Sequence, residues 1–241
     1  MLTFAITTTT KLASVSLHQD GRLLGEIRVE VPRTHSTAIL DQIDRLFEWT
    51  GKTLDEVGNV LVSIGPGSFT GVRIAVSVVK GLFFGKKVNF YSVNELDAHA
   101  YQGYFSIQDS IDKDKGRNHR MYSFVDSGKE KVYYAVYRIK DYGPERETGY
   151  KVGKLEDVLE ECRILYEKGL KIYFSGDAVL NYKGKIIDKM EDKIILIQDE
   201  RLKISSATFF NMLLMNKLEK TDIYSLKPEY LEKTQAERDK K

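Results

Sequence analysis

The sequence is poor in residues that mark export, membrane insertion or covalent cross-linking. It has a single cysteine, Cys162, so no disulfide can form within the chain. Cys162 falls in the apolar register of a predicted helix, which favours a buried thiol in a reduced compartment. The first residues lack a basic leader and an apolar core, so we expect a mature cytoplasmic protein. The longest apolar stretch, Val72 to Phe84, contains Arg73 and Lys80 and is shorter than the roughly 20 residues of a membrane span, so we expect no membrane segment or membrane partner.

An excess of one charge is missing as well. The 37 basic and 35 acidic side chains nearly cancel, and they are dispersed along the chain. A protein that binds nucleic acid by itself gathers basic residues into a stripe that contacts phosphates. The composition therefore argues against a free-standing nucleic-acid binder. The 42% hydrophobic content over 241 residues suffices for one large domain or two smaller lobes.

Residues 1–105 are predicted to form a first lobe with a mixed sheet and the element order βββαβαβα. Alternating and β-favouring runs predict three strands, and apolar residues at helical spacing then predict a helix that closes at Gly51. The later predicted elements are a strand over 59–64, a helix over 70–84, a strand over 88–92 and a helix over 94–101.

Residues 106–232 are predicted to repeat this order as a smaller, divergent second lobe, with the polar stretch 106–120 at the boundary. The predicted elements are strands over 122–126, 131–140 and 147–152, a helix over 155–166, strands over 172–175 and 194–198, and a helix over 205–218 with Ser205 or Ser206 as its cap. Residues 233–241 are predicted to be a polar tail. A duplicated unit of this kind is the α/β architecture of actin, sugar kinases and heat-shock ATPases (the ASKHA fold), an analogy that fixes no activity.

A glycine motif stands between the strand that ends at Ile64 and the following helix. Its candidate anion-binding residues are Gly65, Pro66, Gly67, Ser68, Phe69, Thr70, Gly71 and Arg73. Ser68 or Thr70 can cap the helix, and the amides of its first turn favour a phosphate or carboxylate. The motif is neither a Walker loop nor a dinucleotide fingerprint, because it lacks Gly-Lys-Ser/Thr and has Thr70 in place of a third glycine. Two interpretations stay open: a strand-to-helix turn in which the glycines serve geometry alone, and an anion site.

The segment from Gly65 to Ile74, followed by Ser77 and Lys80-Gly81-Leu82, resembles the signature of the TsaB (YeaZ) family. Further similarity is dense up to about Leu96 and sparse afterwards. It includes Ala5–Thr9, Arg33–Ser36 with Leu40 and Ile43, Ser92–Leu96, the hairpin after Asp126, and Pro228–Leu231.

The resemblance implies a non-catalytic scaffold and activator subunit in tRNA threonylcarbamoylation. It implies a TsaD-like paralogue as catalytic partner, a TsaE-like ATPase, and a second copy of the chain as another possible partner. It also implies that tRNA binds only through the complex, and that the acceptor is the adenosine 3′ of the anticodon in tRNAs reading codons that begin with A. The chain would itself require no cofactor, with ATP and Mg used by the complex.

Thr7 occupies the position at which phosphoryl chemistry in this fold relies on a carboxylate, at the end of the first strand. A threonine supplies no charge to hold Mg²⁺, so Thr7 is interpreted as a degenerate metal position. The four histidines include no zinc-binding pair, and no metal site is expected. For His35 a capping or packing role is favoured over a catalytic one, and for Asp126 a turn role is favoured.

The helix predicted over 70–84 carries more apolar surface than one face of a sheet requires, because its polar residues form one narrow stripe. Either neighbouring helices or a second protein must cover the remainder, and the family resemblance favours a second protein. The candidate residues, expected to divide between core and partner interface, are Leu40, Ile43, Phe47, Ile74, Val78 and Leu82. Trp49 is interpreted as a further contact or as a partly covered aromatic at a helix end.

Three other functions remain as alternatives. The glycine motif would suit an active ATPase or small-molecule kinase of the same fold, which Thr7 opposes. A metallopeptidase is disfavoured by the missing ligand pairs. A homodimeric regulatory module without any link to tRNA is the third.

Overall fold

The computed structural model describes residues 1–30, 35–111 and 118–232. Its first elements are β1 (Leu2–Thr7), β2 (Leu12–Gln19), β3 (Arg22–Glu30), α1 (His35–Thr50), a 3-10 turn (Leu54–Glu56), β4 (Val57–Gly65), α2 (Phe69–Phe83), β5 (Asn89–Asn94) and α3 (Glu95–Ile107). They are followed by β6 (His119–Gly128), β7 (Lys131–Lys140), β8 (Gly143–Arg146), β9 (Lys151–Lys154), α4 (Leu155–Glu167), β10 (Lys171–Ser175), α5 (Asp177–Asn181), α6 (Lys183–Met190), β11 (Ile194–Leu196), α7 (Asp199–Leu202), α8 (Ala207–Leu214) and β12 (Glu219–Thr221). The predicted order βββαβαβα is confirmed for the first pass of the chain.

The first sheet has the strand order β12-β5-β4-β1-β2-β3. Strands β1, β4 and β5 run parallel, whereas β2, β3 and β12 are antiparallel to their neighbours. All six residues of β1 are buried because both faces of the strand are covered. On one face Phe4 packs in a core with residues of α1 and α2, and its ring lies 5.8 Å from that of Phe83. On the other face Phe210 of α8 stacks on His18 at 4.3 Å.

The second sheet has the order β11-β10-β6-β7-β8, and β9 also pairs with β7. Its core contains a cluster of aromatic rings, in which Phe124 and Phe174 meet edge to face at 5.0 Å. Cys162 of α4 is fully buried in this core, as predicted, and burial raises the pKa of its thiol. Across the described ranges, no helix is long and apolar enough to span a membrane.

The boundary between the two compact units differs from the one expected at residue 105. Of the described residues, the first unit comprises Met1–Glu95 and Ser205–Tyr230, and the second comprises Leu96–Ile204 together with Leu231 and Glu232. The boundary was predicted at residue 105 because residues 106–120 are polar. In the structure α3, which precedes this stretch, already packs into the second core through Leu96, Ala100 and Tyr104. The segment from Ser205 belongs to the first unit because α8 covers β2, and β12 pairs with β5.

Several further element predictions are wrong in their bounds, and the helix predicted over 94–101 extends to Ile107. No strand forms over the whole of 147–152, because the side chain of Thr148 accepts the amide proton of Val136 at 3.0 Å and interrupts the ladder between β8 and β9. The helix predicted over 205–218 is shorter, and Asn216 beyond its end has a positive φ of 54°. The predictions also omitted the strands β8 and β12 and the helices α5, α6 and α7.

Candidate functional site

The glycine motif connects the last residue of β4, Gly65, to the first residue of α2, Phe69. Ser68 caps α2, since its side chain accepts the amide proton of Gly71 at 3.2 Å, as predicted. Gly65 has a φ of 106°, a conformation that favours glycine. The motif therefore turns the chain sharply from strand to helix and caps the first helical turn through Ser68.

Two glycines of the motif lie directly against the turn between β1 and β2. A β-carbon at Gly67 would overlap the carbonyl oxygen of Thr9, and one at Gly71 would overlap that of Thr8. In the same place the amide of Ser68 donates to the Thr9 carbonyl at 2.6 Å, and the Thr8 hydroxyl donates to the Gly71 carbonyl at 2.6 Å. Close approach of two backbone segments thus accounts for both glycines. The anion site stays a prediction. The amide of Ser68, which such a site would use, already donates to the carbonyl of Thr9.

A C-terminal strap, Pro228–Tyr230, runs over the glycine motif. The amide of Glu229 donates to the carbonyl of Ile64 at 2.7 Å, next to Gly65. The ring of Tyr230 stacks on Phe69 at 4.7 Å, and Arg73 donates through Nε to the Tyr230 hydroxyl at 2.8 Å. The guanidinium of Arg73 also lies 3.7 Å from the centre of the Phe69 ring. Two predicted anion-binding residues, Phe69 and Arg73, are therefore held by the strap, a contact that no local sequence signal indicated.

Thr7 lies at the end of β1, as predicted, but a carboxyl group is close to it. The side chain of Glu95, the first residue of α3, accepts hydrogen bonds from the hydroxyls of Thr7 at 3.1 Å and of Ser63. Thr9 contributes a third hydroxyl, 3.1 Å from that of Thr7. Glu95 is completely buried, and desolvation raises the pKa of its carboxyl against the opposing effect of these hydrogen bonds. Sequence reasoning missed this residue, because 88 positions separate it from Thr7.

The predicted interface residues lie partly in the core and partly at the surface, and their contact with a partner stays a prediction. Ile43 and Phe47 are buried in the first core, whereas the side chain of Leu40 is exposed. The residues Ile74, Val78 and Leu82 of α2 are half-buried and pack against the edge of that core. Trp49, at the end of α1, is 72% exposed, so the described part of the chain leaves most of its side chain uncovered.

The remaining candidate residues take structural roles or lie outside the described positions. Asp126 accepts the amide proton of Gly128 at 2.7 Å, which is the predicted turn role, and also bonds Tyr182 and Asn181. Arg33 and Thr34 lie outside the described residues, as does the side chain of His35. Among the described residues, no group of three or more His, Cys, Asp or Glu side chains could hold a metal ion.

The order βββαβαβα of the first pass and the two mixed sheets define the chain as an α/β protein of the actin-like ATPase fold class, the class expected from the sequence. A solved structure with the same fold is a Pseudomonas aeruginosa protein described as similar to the peptidase YEAZ. It has a TM-score of 0.74 and 22% sequence identity, and the match covers 96% of this chain and 99% of that one.

Sequence comparison gives the family. The family model described as TsaD, tRNA N6-adenosine threonylcarbamoyltransferase, matches residues 24–239, so the chain belongs to this family, and the resemblance to TsaB (YeaZ) is confirmed. Two curated relatives carry the description tRNA threonylcarbamoyladenosine biosynthesis protein TsaB. The one from Escherichia coli (strain K12) is 30% identical over 143 residues, which are 59% of this chain and only 58% of that protein. The one from Bacillus subtilis (strain 168) is 24% identical over 239 residues, or 98% of this chain and 96% of that protein.

Proposed function

We propose that this chain is a cytoplasmic, non-catalytic scaffold and activator subunit in the threonylcarbamoylation of tRNA. It acts with a TsaD-like catalytic subunit and a TsaE-like ATPase on the adenosine 3′ of the anticodon in tRNAs that read codons beginning with A. The observation that carries the proposal is full-length similarity to a protein described as a tRNA threonylcarbamoyladenosine biosynthesis protein. The chain binds tRNA only as part of the complex, because its charges nearly cancel.

The absence of catalysis in this chain is supported by the surroundings of Thr7. A magnesium ion requires carboxylate oxygen that it can reach. The carboxyl of Glu95 has no solvent-accessible surface, and its hydrogen bonds go to hydroxyls of the protein. ATP and Mg²⁺ are therefore used by the other members of the complex, and this chain requires no cofactor.

A partner role is supported by the surface of α2. Ile74, Val78 and Leu82 remain half-exposed after the first unit has folded, and the exposed Trp49 and Leu40 lie on α1. Apolar helical surface of this kind suits the centre of a protein–protein interface. The partner that fits the family is the TsaD-like paralogue, with a second copy of this chain as the alternative.

The test is a strain in which the gene is deleted or depleted, with the modified nucleoside measured by mass spectrometry of tRNA digests. We expect loss of threonylcarbamoyladenosine and its recovery when the wild-type chain is restored. Co-purification from the native cell should recover a TsaD-like protein. Unchanged modification in the depleted strain would contradict the proposal.

A second candidate function is a threonylcarbamoyltransferase or ATPase activity of the chain itself, which the description of the matching family model favours. The two functions separate in vitro. Incubation of the purified chain with tRNA, ATP and threonylcarbamoyl-adenylate should give neither modified tRNA nor ADP. Addition of the TsaD-like and TsaE-like proteins should restore modification.

A further inference from the structure

The buried carboxyl of Glu95 stands where the strands β1 and β4 end. Both of its oxygens lie within hydrogen-bond distance of the Thr7 hydroxyl, at 3.1 and 3.3 Å, and Oε2 also accepts from Ser63. With the hydroxyl of Thr9 the group forms a closed polar cluster that is inaccessible to solvent. Carboxyl ends of parallel strands are the usual ligand-binding edge of an α/β sheet. Here protein side chains fill that edge.

Burial of Glu95 shifts the pKa of its carboxyl upward, toward the neutral acid, and the hydrogen bonds from the surrounding hydroxyls oppose this shift. Burial of an ionised carboxylate costs several kcal/mol unless a cation pairs with it. The groups that influence the pKa of Glu95 are the hydroxyls of Ser63, Thr9 and Thr7, from β4 and from the end of β1, and none of them carries a charge. Hydroxyls can both donate and accept, so they satisfy a neutral carboxylic acid as well as a carboxylate. The carboxyl of Glu95 thus joins the side chains of Thr7, Thr9 and Ser63 through hydrogen bonds, and this cluster of four residues is called the clamp below.

The clamp connects to α2 through the backbone of the turn after β1. The side chains of Thr7 and Thr9 contact Glu95, while the carbonyl of Thr9 accepts from the amide of Ser68. Between them, the Thr8 hydroxyl holds the carbonyl of Gly71. The first turn of α2 is therefore bonded to a backbone turn whose side chains Thr7 and Thr9 are in turn bonded to Glu95.

We propose that Glu95 is a positioning residue that fixes the turn from Thr7 to Thr9 beneath the glycine motif, and so sets the placement of α2 and of the apolar face that it presents to a partner. This inference deepens the proposed function and rests on it for the partner. Glu95 touches no solvent, so it acts on the interface only through α2. It holds no metal ion in this role.

The direct test is amide hydrogen exchange at Ser68, Gly71 and Val72 in three variants. Glu95→Ala should speed exchange at these amides by about tenfold or more, because it leaves buried hydroxyls without a partner. Glu95→Gln keeps the shape and hydrogen bonds of the neutral acid and should exchange like wild type. If Glu95→Ala fails to fold, Thr7→Val removes one hydroxyl at constant shape and should speed the same amides. Unchanged exchange in Glu95→Ala, or in Thr7→Val used in its place, overturns the proposal.

Two further measurements separate positioning from a general structural role. The pKa of Glu95 is raised in the folded state, so wild type should lose stability relative to Glu95→Gln as the pH rises above the ordinary value of 4.5. A stability difference that does not vary with pH, or Mg²⁺ binding that depends on Glu95, overturns the clamp.

The second measurement is association with the purified TsaD-like paralogue. It should be weaker for Glu95→Ala than for wild type, and Glu95→Gln should associate as wild type does. If exchange changes while Val78→Asp leaves association intact, the proposed interface fails and the positioning role stands.

Discussion

Gly71 shows how little room a single residue has at the junction between α2 and the preceding turn. A β-carbon there would overlap the backbone carbonyl of Thr8, which cannot move aside as a flexible side chain could. Gly81 lies on the same helix, and a β-carbon there would meet nothing within 4 Å. The same substitution should therefore have opposite effects at the two positions.

We expect Gly71→Ala to lower the free energy of unfolding by about 2–3 kcal/mol, because either the helix or the turn must shift. Gly81→Ala should raise it by about 0.5–1 kcal/mol through helix propensity. Urea denaturation of the two variants and wild type measures both effects. Equal stability of the two alanine variants would show that the close approach at Gly71 is absent in solution.

His18 should make the stability of the protein depend on pH. Burial lowers the pKa of His18 from 6.5 to about 4 in the folded chain, whereas the unfolded chain keeps the ordinary value. The unfolded state then binds the extra proton between these pH values, so His18 stabilises the fold above pH 6.5 and loses that contribution as the pH falls to 4. His99 acts in the same direction, since burial lowers its pKa to about 3.

A matched variant isolates the contribution of His18. The ring stacks on Phe210, and its Nδ1 has no partner among the described residues, so His18→Phe keeps the ring contact and removes the titration. Denaturation between pH 4 and 7 should show a shallower loss of stability in His18→Phe than in wild type. Parallel curves for the two proteins would rule out the assigned role of His18.

At the scale of elements, α2 offers a comparison between neighbouring residues. Val78 is half-buried at the proposed interface, and Ser77, one residue earlier, is exposed on the polar stripe. A new carboxylate at Val78 would be desolvated by a partner, whereas one at Ser77 would stay in water.

We expect Val78→Asp to weaken association with the TsaD-like paralogue about tenfold or more, and Ser77→Asp to leave it within about twofold. Analytical ultracentrifugation or calorimetry measures the association, and circular dichroism checks that both variants fold. Similar affinity of the two variants would move the interface away from this face of α2.

The elements also show what local patterns can predict. The sequence placed α2 at 70–84, one residue from its observed bounds at each end, because a glycine motif begins it and Gly85 follows it. The N-cap of α8 is Ser206, one of the two residues predicted, but the bonds around it were not predictable in this way. The hydroxyl of Ser14 in β2 donates to that of Ser206, and the amide of Ala207, the first residue of α8, donates to Glu26 of β3 at 3.4 Å. A hydrogen bond to a strand about 180 residues earlier leaves no signal near the helix.

At the scale of the whole molecule, the order of elements was predictable in the first pass of the chain, whereas the order of the second pass and the membership of the two units were not. Alternation of apolar patterns depends on near neighbours in the chain, so it revealed the element order of the first pass. Contacts between distant segments decide which unit an element joins, as α3 and the segment from Ser205 show. The cluster of Thr7 and Glu95 also depends on contacts between distant segments, because α3 follows β5 and the parallel pairing of β1, β4 and β5 places its start beside Thr7.

The C-terminal residues give a whole-chain prediction, because they contribute to each unit separately. In the first unit, Glu229 donates to the carbonyl of Ile64 and Tyr230 stacks on Phe69. In the second unit, the carboxyl of Glu232 accepts from the hydroxyl of Ser127 at 2.9 Å and from Lys131 at 3.4 Å.

A chain that ends at Lys227 should therefore lose amide protection in two places, around the glycine motif and around the hairpin of β6 and β7. A control chain that ends at Glu232 removes only the polar tail and should keep both. Hydrogen exchange with peptide-level resolution reads the two regions independently. Each unit binds a different part of the C-terminal segment, so the two regions are tested separately. If a region keeps its amide protection in the chain that ends at Lys227, the C-terminal residues do not stabilise that region.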